Sequence, residues 1–246
     1  AWVTVGQIYK DIYFKENKTT FDRISLATST MTRAGTAQLS GQLYCIRSSV
    51  ARNIYFPRGI LNEDGFIKLL VCNDFYVNEF NAKRIKKVEQ AAHIFESYKS
   101  ISDIMNIQKR EMTSQVIYNV FIEIALKRMD SRQRSDFADS LRQKEKEDPN
   151  WLLKDIADYM QQTRYFWRIF PNALTFRLRR LWSMSARHRI THLPTALAAT
   201  LMQTITCYRA YQALKDGSFG HWPDTKSQNL GNLKADGTIQ GKDVSQ

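Results

Sequence analysis

Cysteine, histidine and, along one long stretch, acidic side chains are scarce in this chain, and each scarcity removes a class of chemistry. Cys45, Cys72 and Cys207 are an odd number with no C-x-x-C spacing, so neither a disulfide framework nor a cysteine zinc site is encoded, and a reducing, cytosolic setting fits. His93, His188, His192 and His221 lack the spacing of a metal site or a triad, which leaves each as a core or surface residue. No charged start, apolar middle and small-residue end of the signal-peptide kind opens the chain. Between Tyr159 and Leu214 there is no Asp or Glu, while Arg164, Arg168, Arg177, Arg179, Arg180, Arg187, Arg189 and Arg209 all fall there. Such a one-signed field attracts phosphate, on lipid or on nucleic acid, and the plainer reading of it is a solvated helical face.

What is present suffices for a folded protein. With 246 residues and a hydrophobic share of 43%, the chain can bury a core in one or two domains, and its net charge is +12. Val5, Ile8, Ile12 and Phe14 have partial helical spacing, which predicts a helix and a loop between Trp2 and Thr30. Gln42 to Ile46 reads as a short strand, and Ser48 to Asn53 as a turn of helix broken by Pro57 and Gly59. Phe66 to Cys72 suits a buried helix, and Arg84 to Phe95 an extended segment. Ser100 or Ser102 can cap a long amphipathic helix that runs to about Met129.

Farther on, Asp130 to Asp148 is dense in both charge signs and reads as a linker or an exposed helix. Asp148 with Pro149 opens a helix carrying Leu152, Ile156, Tyr159 and Met160 as far as Pro171. A basic helix with Leu174, Leu178, Leu181 and Trp182 follows, and a third runs from Pro194 to about Leu214, closed by Gly217. Its apolar part, Ala196 to Tyr208, is interrupted by Thr and Gln and falls short of the roughly 20 residues that cross a bilayer. Arginines interleaved with Trp167, Phe170, Phe176 and Trp182 instead fit a helix lying among lipid headgroups. After Trp222 the composition is that of a disordered tail.

The chemistry-bearing candidates lie in three segments. Glu63 and Asp64 stand between Gly59-Ile60-Leu61-Asn62 and the apolar run from Phe66. A carboxylate beside a buried segment needs a partner or a task, because removing it from water is costly. Taken alone, Asn62 to Gly65 is a polar turn in which Asn62 or Asp64 caps the following helix. Upstream lies Gly41, Gln42, Leu43, Tyr44, Cys45, Ile46, Arg47, and downstream Gln108, Lys109, Arg110.

In that order the three segments resemble the second half of the catalytic domain of family 2 glycosyltransferases, inverting enzymes with an A-type (GT-A) fold. The resemblance covers Gly35 to Thr113 and, more loosely, the chain as far as Trp222. It implies an α/β fold, helix-dominated overall: the C-terminal half of a GT-A domain over residues 1–129, a charged linker over 130–149, a basic helical membrane-associating region over 150–216, and a disordered tail over 217–246. Asp64 would then be the catalytic base, with Glu63 beside it as the second catalytic candidate. Gly41, Gln42 and Arg47 would border the acceptor pocket. Gln108 and Arg110 would hold the nucleotide diphosphate and acceptor, near a helix N-terminus whose free amides favour such an anion.

The family's Asp-x-Asp metal motif is absent from the sequence. The resemblance therefore implies a divalent metal, Mg or Mn, whose ligands are not in this chain, and a longer enzyme of which this is the C-terminal part, the isolated piece transferring no sugar. It also implies a nucleotide-sugar donor, a hydroxyl acceptor on a glycan or lipid-linked molecule, an anionic membrane surface on the cytoplasmic side, and a role in cell-surface glycan or polysaccharide synthesis. No nucleic acid is expected. Two readings from other classes compete: a membrane-peripheral helical scaffold, and a basic nucleic-acid-binding module, for which no recognisable motif accompanies the arginines.

Overall fold

The computed structural model of the protein describes residues 1–23, 25–26, 39, 43–98, 100–183 and 185–220. Gly41, Gln42 and the tail from residue 221 onward lie outside the described residues. The architecture is mostly helical α/β, with a small mixed sheet of three strands in the order β2-β1-β3.

Strand β1 (Val3–Lys10) is central, paired antiparallel with β2 (Tyr44–Ile46) and parallel with β3 (Ile85–Phe95). This corrects the helix expected from Trp2 onward. The register irregularity between Val5 and Gln7 puts its extra residues on β3, where residues 88–91 stand against Gly6. The helix-like spacing of Val5, Ile8 and Ile12 arises because it runs across the strand and into the 3-10 turn Asp11–Tyr13 that follows it. Val3 and Val5 face the core from β1, and Ile85 joins them from β3.

The crossover between β1 and β3 carries α1 (Ser48–Ala51) and α2 (Glu63–Cys72). In α2, Phe66, Ile67, Leu70 and Val71 are buried, while Glu63 and Asp64 occupy the first turn, where the positive end of the helix dipole favours carboxylates. Just past its C-terminus Asp74, Phe75 and Tyr76 all have left-handed backbones, with φ of 52°, 51° and 63°. Such a run is unfavourable for residues with a Cβ, and local contacts hold it. Phe75 is buried against Phe137 with ring centroids 5.5 Å apart. Arg84 donates to the Cys72 carbonyl at 2.9 Å, pairs with Asp74 at 3.2 Å and lies over the Trp2 ring at 4.5 Å.

Helix α3 (Ile101–Val120) starts with a capping box between Ser100 and Asp103 and passes into a π-wound turn over Phe121–Leu126. The charged stretch expected as a linker or exposed helix forms α4 (Ser131–Ser135) and α5 (Phe137–Glu147). Phe137 and Leu141, one turn apart on α5, are fully buried, so two well-spaced apolar residues anchor an otherwise charged segment. Helix α6 (Trp151–Thr163) buries Trp151, Leu152, Ile156 and Met160 and stops before Pro171, at Arg164, whose φ is 40°.

After α7 (Phe166–Ile169) and α8 (Thr175–Trp182) comes α9 (Ala186–Lys215), which packs on α3, α6 and α8. It begins well before Pro194, the start expected from sequence. The proline sits inside the helix with no N–H to give the Ile190 carbonyl.

Aromatic rings join these layers. Phe121 meets Phe66 edge-on at 5.1 Å, Phe137 at 6.2 Å and Trp151 at 6.3 Å, so one residue links α2, α3, α5 and α6. Phe121→Ala should therefore lower the unfolding free energy by about 3–5 kcal/mol in chemical denaturation. A loss below about 1 kcal/mol would mean the site collapses around the cavity and the ring is not the joint described here.

Candidate active site

The N-terminus of α2 gathers the polar residues. Glu63 is exposed and Asp64 half-buried. The Asn62 side chain makes no capping bond, so that part of the capping expectation is not realised. Asp64 partly fills the role, since its Oδ1 accepts from the Gly65 N–H at 2.7 Å.

Two side chains of α3 grip the carbonyls of the turn. Arg110 donates through Nη2 to the Leu61 carbonyl at 3.0 Å and approaches Glu63 Oε2 at 3.9 Å. Two turns along the same helix, the Tyr118 hydroxyl donates to the Asn62 carbonyl. Tyr118 also crowds residue 65: a Cβ there would stand 2.9 Å from the Tyr118 hydroxyl oxygen, so any larger residue would push that ring aside.

Electrostatic coupling shows which groups share this space. Burial lowers the pKa of Arg110, and the charges of Glu63 and Asp64 pull it back up. Burial raises the Tyr118 hydroxyl, with Asp64 adding to the rise. The Tyr44 hydroxyl, on β2, is raised by burial and then by Glu63 and Asp64. Glu111, next to Arg110, is raised by the protein packed around its carboxyl and then by Asp64; the residue as a whole stays exposed, which keeps that effect small.

Of the residues singled out in the sequence, Glu63, Asp64 and Arg110 come together. Gln108 is half-buried on α3 and lies two residues from Arg110, about 200° around the helix, so the two cannot face the same acids. Arg110 also sits in the middle of α3, beyond the first turn where helix amides and dipole would act on a diphosphate; the placement near the N-terminus is corrected accordingly. Arg47 is exposed where β2 passes into α1. Gly41 and Gln42 lie outside the described residues.

From the segment around Gly41 to Arg47 it is Tyr44 that reaches the field of the acids, and sequence reasoning missed it along with Tyr118 and Glu111. Tyr118 was within reach of inspection, since the apolar face of α3 fixes which side of the helix Arg110 and Tyr118 share. Tyr44 carried no such signal, because its position depends on pairing between distant strands.

The arrangement supplies a carboxylate on a helix N-terminus, a guanidinium beside it and two phenols. Among the described residues no group of three or more His, Cys, Asp or Glu could hold a metal ion. An open apolar depression of about 440 Å³ lies elsewhere, lined by Phe166, Trp167, Thr204, Ile205 and Tyr208. Compared with known proteins, the chain matches no family model, no curated protein and no solved structure.

Gly65→Ala should destabilise the fold by about 1–3 kcal/mol through overpacking against Tyr118. Measured in a double-mutant cycle with Tyr118→Phe, which removes the clashing oxygen, the cost should shrink; additive effects would show that the two residues do not press on each other. Glu111 offers a pH test. Its pKa is raised in the folded state, so stability should fall as pH rises through the window above the ordinary value of 4.5. Glu111→Gln should then melt higher than the parent at neutral pH, with the difference closing in acid, and a constant difference across pH would contradict this.

Proposed function

We propose that the α2–α3 site is the acceptor side of an inverting sugar transferase of the family 2 glycosyltransferase kind, built on a GT-A domain, with Asp64 as the base. The observation that carries this reading is that Arg110 reaches back from α3 to the Leu61 carbonyl and to Glu63, so two segments far apart in sequence meet at one polar turn.

In the reaction, Asp64 takes the proton of an acceptor hydroxyl on a glycan or lipid-linked molecule. That oxygen bonds to the anomeric carbon of a nucleotide sugar, and the bond from the anomeric carbon to the diphosphate oxygen breaks with its electron pair leaving on the diphosphate. Arg110 is the cation placed to face the charge that develops there. Glu63, exposed beside it, holds Arg110 and is positioned to receive an acceptor hydroxyl. The divalent cation that such enzymes use finds no cradle among the described residues, and no step here runs through it.

One observation favours a structural role instead: the Asp64 bond to the Gly65 N–H is a local helix-start contact. Asp64→Asn separates the two roles, because the amide oxygen keeps that bond and loses the base. Measured with the protein as its gene encodes it, in membranes given nucleotide sugars and a divalent cation, transfer should fall by about 10²- to 10⁴-fold with melting unchanged. Transfer at the parent rate by Asp64→Asn, or none by the parent from any donor, would overturn the proposal.

A further inference from the structure

The long helix α9 turns two unlike faces outward and inward. Cys207, Ala210, Ala213 and Leu214 are buried. On the opposite side Ile190, Leu193, Leu197, Leu201, Ile205 and Tyr208 are all exposed, with Ile190 at 77% and Leu201 at 63% of full accessibility. These residues recur at three- and four-residue intervals and so form one straight stripe, about 27 Å long at 1.5 Å per residue. Trp167 of α7 is exposed beside its C-terminal end, where it lines the apolar depression with Ile205 and Tyr208. Trp182, 70% exposed at the end of α8, has the Arg189 guanidinium 5.5 Å from its ring.

An apolar stripe of this length in water is costly, and two features decide what covers it. The first is charge. The surrounding sequence from Tyr159 to Leu214 holds eight arginines and no acid, so a second copy pairing through the same face would meet like charge. The second is chemistry: nucleic acid accepts single aliphatic wedges between base steps, but its charged backbone offers no apolar surface to a leucine and isoleucine ridge of this length. A bilayer carrying anionic headgroups answers both, with acyl chains for the ridge, an interfacial layer for the tryptophans and phosphates for the guanidiniums. No helix among the described residues is long and apolar enough to cross the membrane, which agrees with a helix lying along its surface.

We infer that α9 lies in the plane of an anionic phospholipid bilayer, with the Ile190–Tyr208 ridge among the upper acyl chains and Trp167 at the headgroup level. This inference stands apart from the sugar-transfer proposal, and its test reads no enzymatic activity.

The test is flotation of the purified chain with vesicles of phosphatidylcholine alone or mixed with phosphatidylglycerol. Expected is flotation with the anionic vesicles at about 0.1 M salt, little with phosphatidylcholine alone, and partial release at about 1 M, where the Debye length shrinks to about 3 Å. The double substitution Leu197→Ser with Leu201→Ser should cut partitioning at least about tenfold by removing the centre of the ridge. Arg168→Gln with Arg179→Gln, both at exposed positions, should cut it by a similar factor at low salt. Exposed substitutions leave folds largely intact, and circular dichroism checks this for each variant. No flotation with anionic vesicles, equal flotation with neutral ones, or parent-like binding by both double variants would overturn the inference. So would a dimer abolished by the leucine substitutions in a protein that does not float.

Discussion

The edge-on contact between Phe66 and Phe121 holds the molecule in its working shape. Asp64 lies two residues before Phe66, and Arg110 lies three turns before Phe121. Locking the two rings at 5.1 Å therefore fixes the axial offset of α2 against α3, and with it which side chain of α3 meets which carbonyl of the turn. Because Phe121 also touches Phe137 and Trp151, the same contact passes support from α5 and α6 to the site. Interiors are close-packed, so a change at this ring is transmitted to the polar turn and not absorbed locally.

The sequence disclosed most where a single period ran undisturbed. Helix α2 follows from the unbroken run after Gly65, α3 from Ser100 and the regular Ile and Val spacing behind it, and α6 from Leu152, Ile156 and Met160. It misled where a period was broken by something only pairing reveals. The spacing of Val5, Ile8 and Ile12 ran across β1 and the 3-10 turn after it, and so looked like one helix. Charge in α5 concealed Phe137 and Leu141, which are few but one turn apart. In the site, Glu63, Asp64 and Arg110 were legible as residue types in order, whereas Tyr44 and Tyr118 depend on how elements pack and carry no short motif.

Helix α3 is shared by both polar systems of the protein. Arg110 and Tyr118 reach from it to the turn before α2, and Asn106, on the same face as Arg110, accepts a bond from Arg209 of α9 at 3.1 Å. Asn106 and Arg110 are one turn apart, so α9 and the carboxylates are referred to the same short piece of helix. The helix that bears the exposed ridge and the turn that bears the acids thus both pack on α3.

The left-handed run Asp74–Tyr76 gives α2 the mechanics of a cantilever. Its C-terminal end is clamped, because the chain reverses there without slack and Arg84 ties the Cys72 carbonyl to Asp74 and Trp2. The other end rests on two side-chain props, Arg110 under the Leu61 carbonyl and Tyr118 under the Asn62 carbonyl. A beam fixed at one end deflects most at its tip, and the tip here is the turn that bears Glu63 and Asp64. The height of the carboxylates above α3 is therefore set by the two props, so a molecule that competes for the Arg110 guanidinium would also move the acids it came to meet.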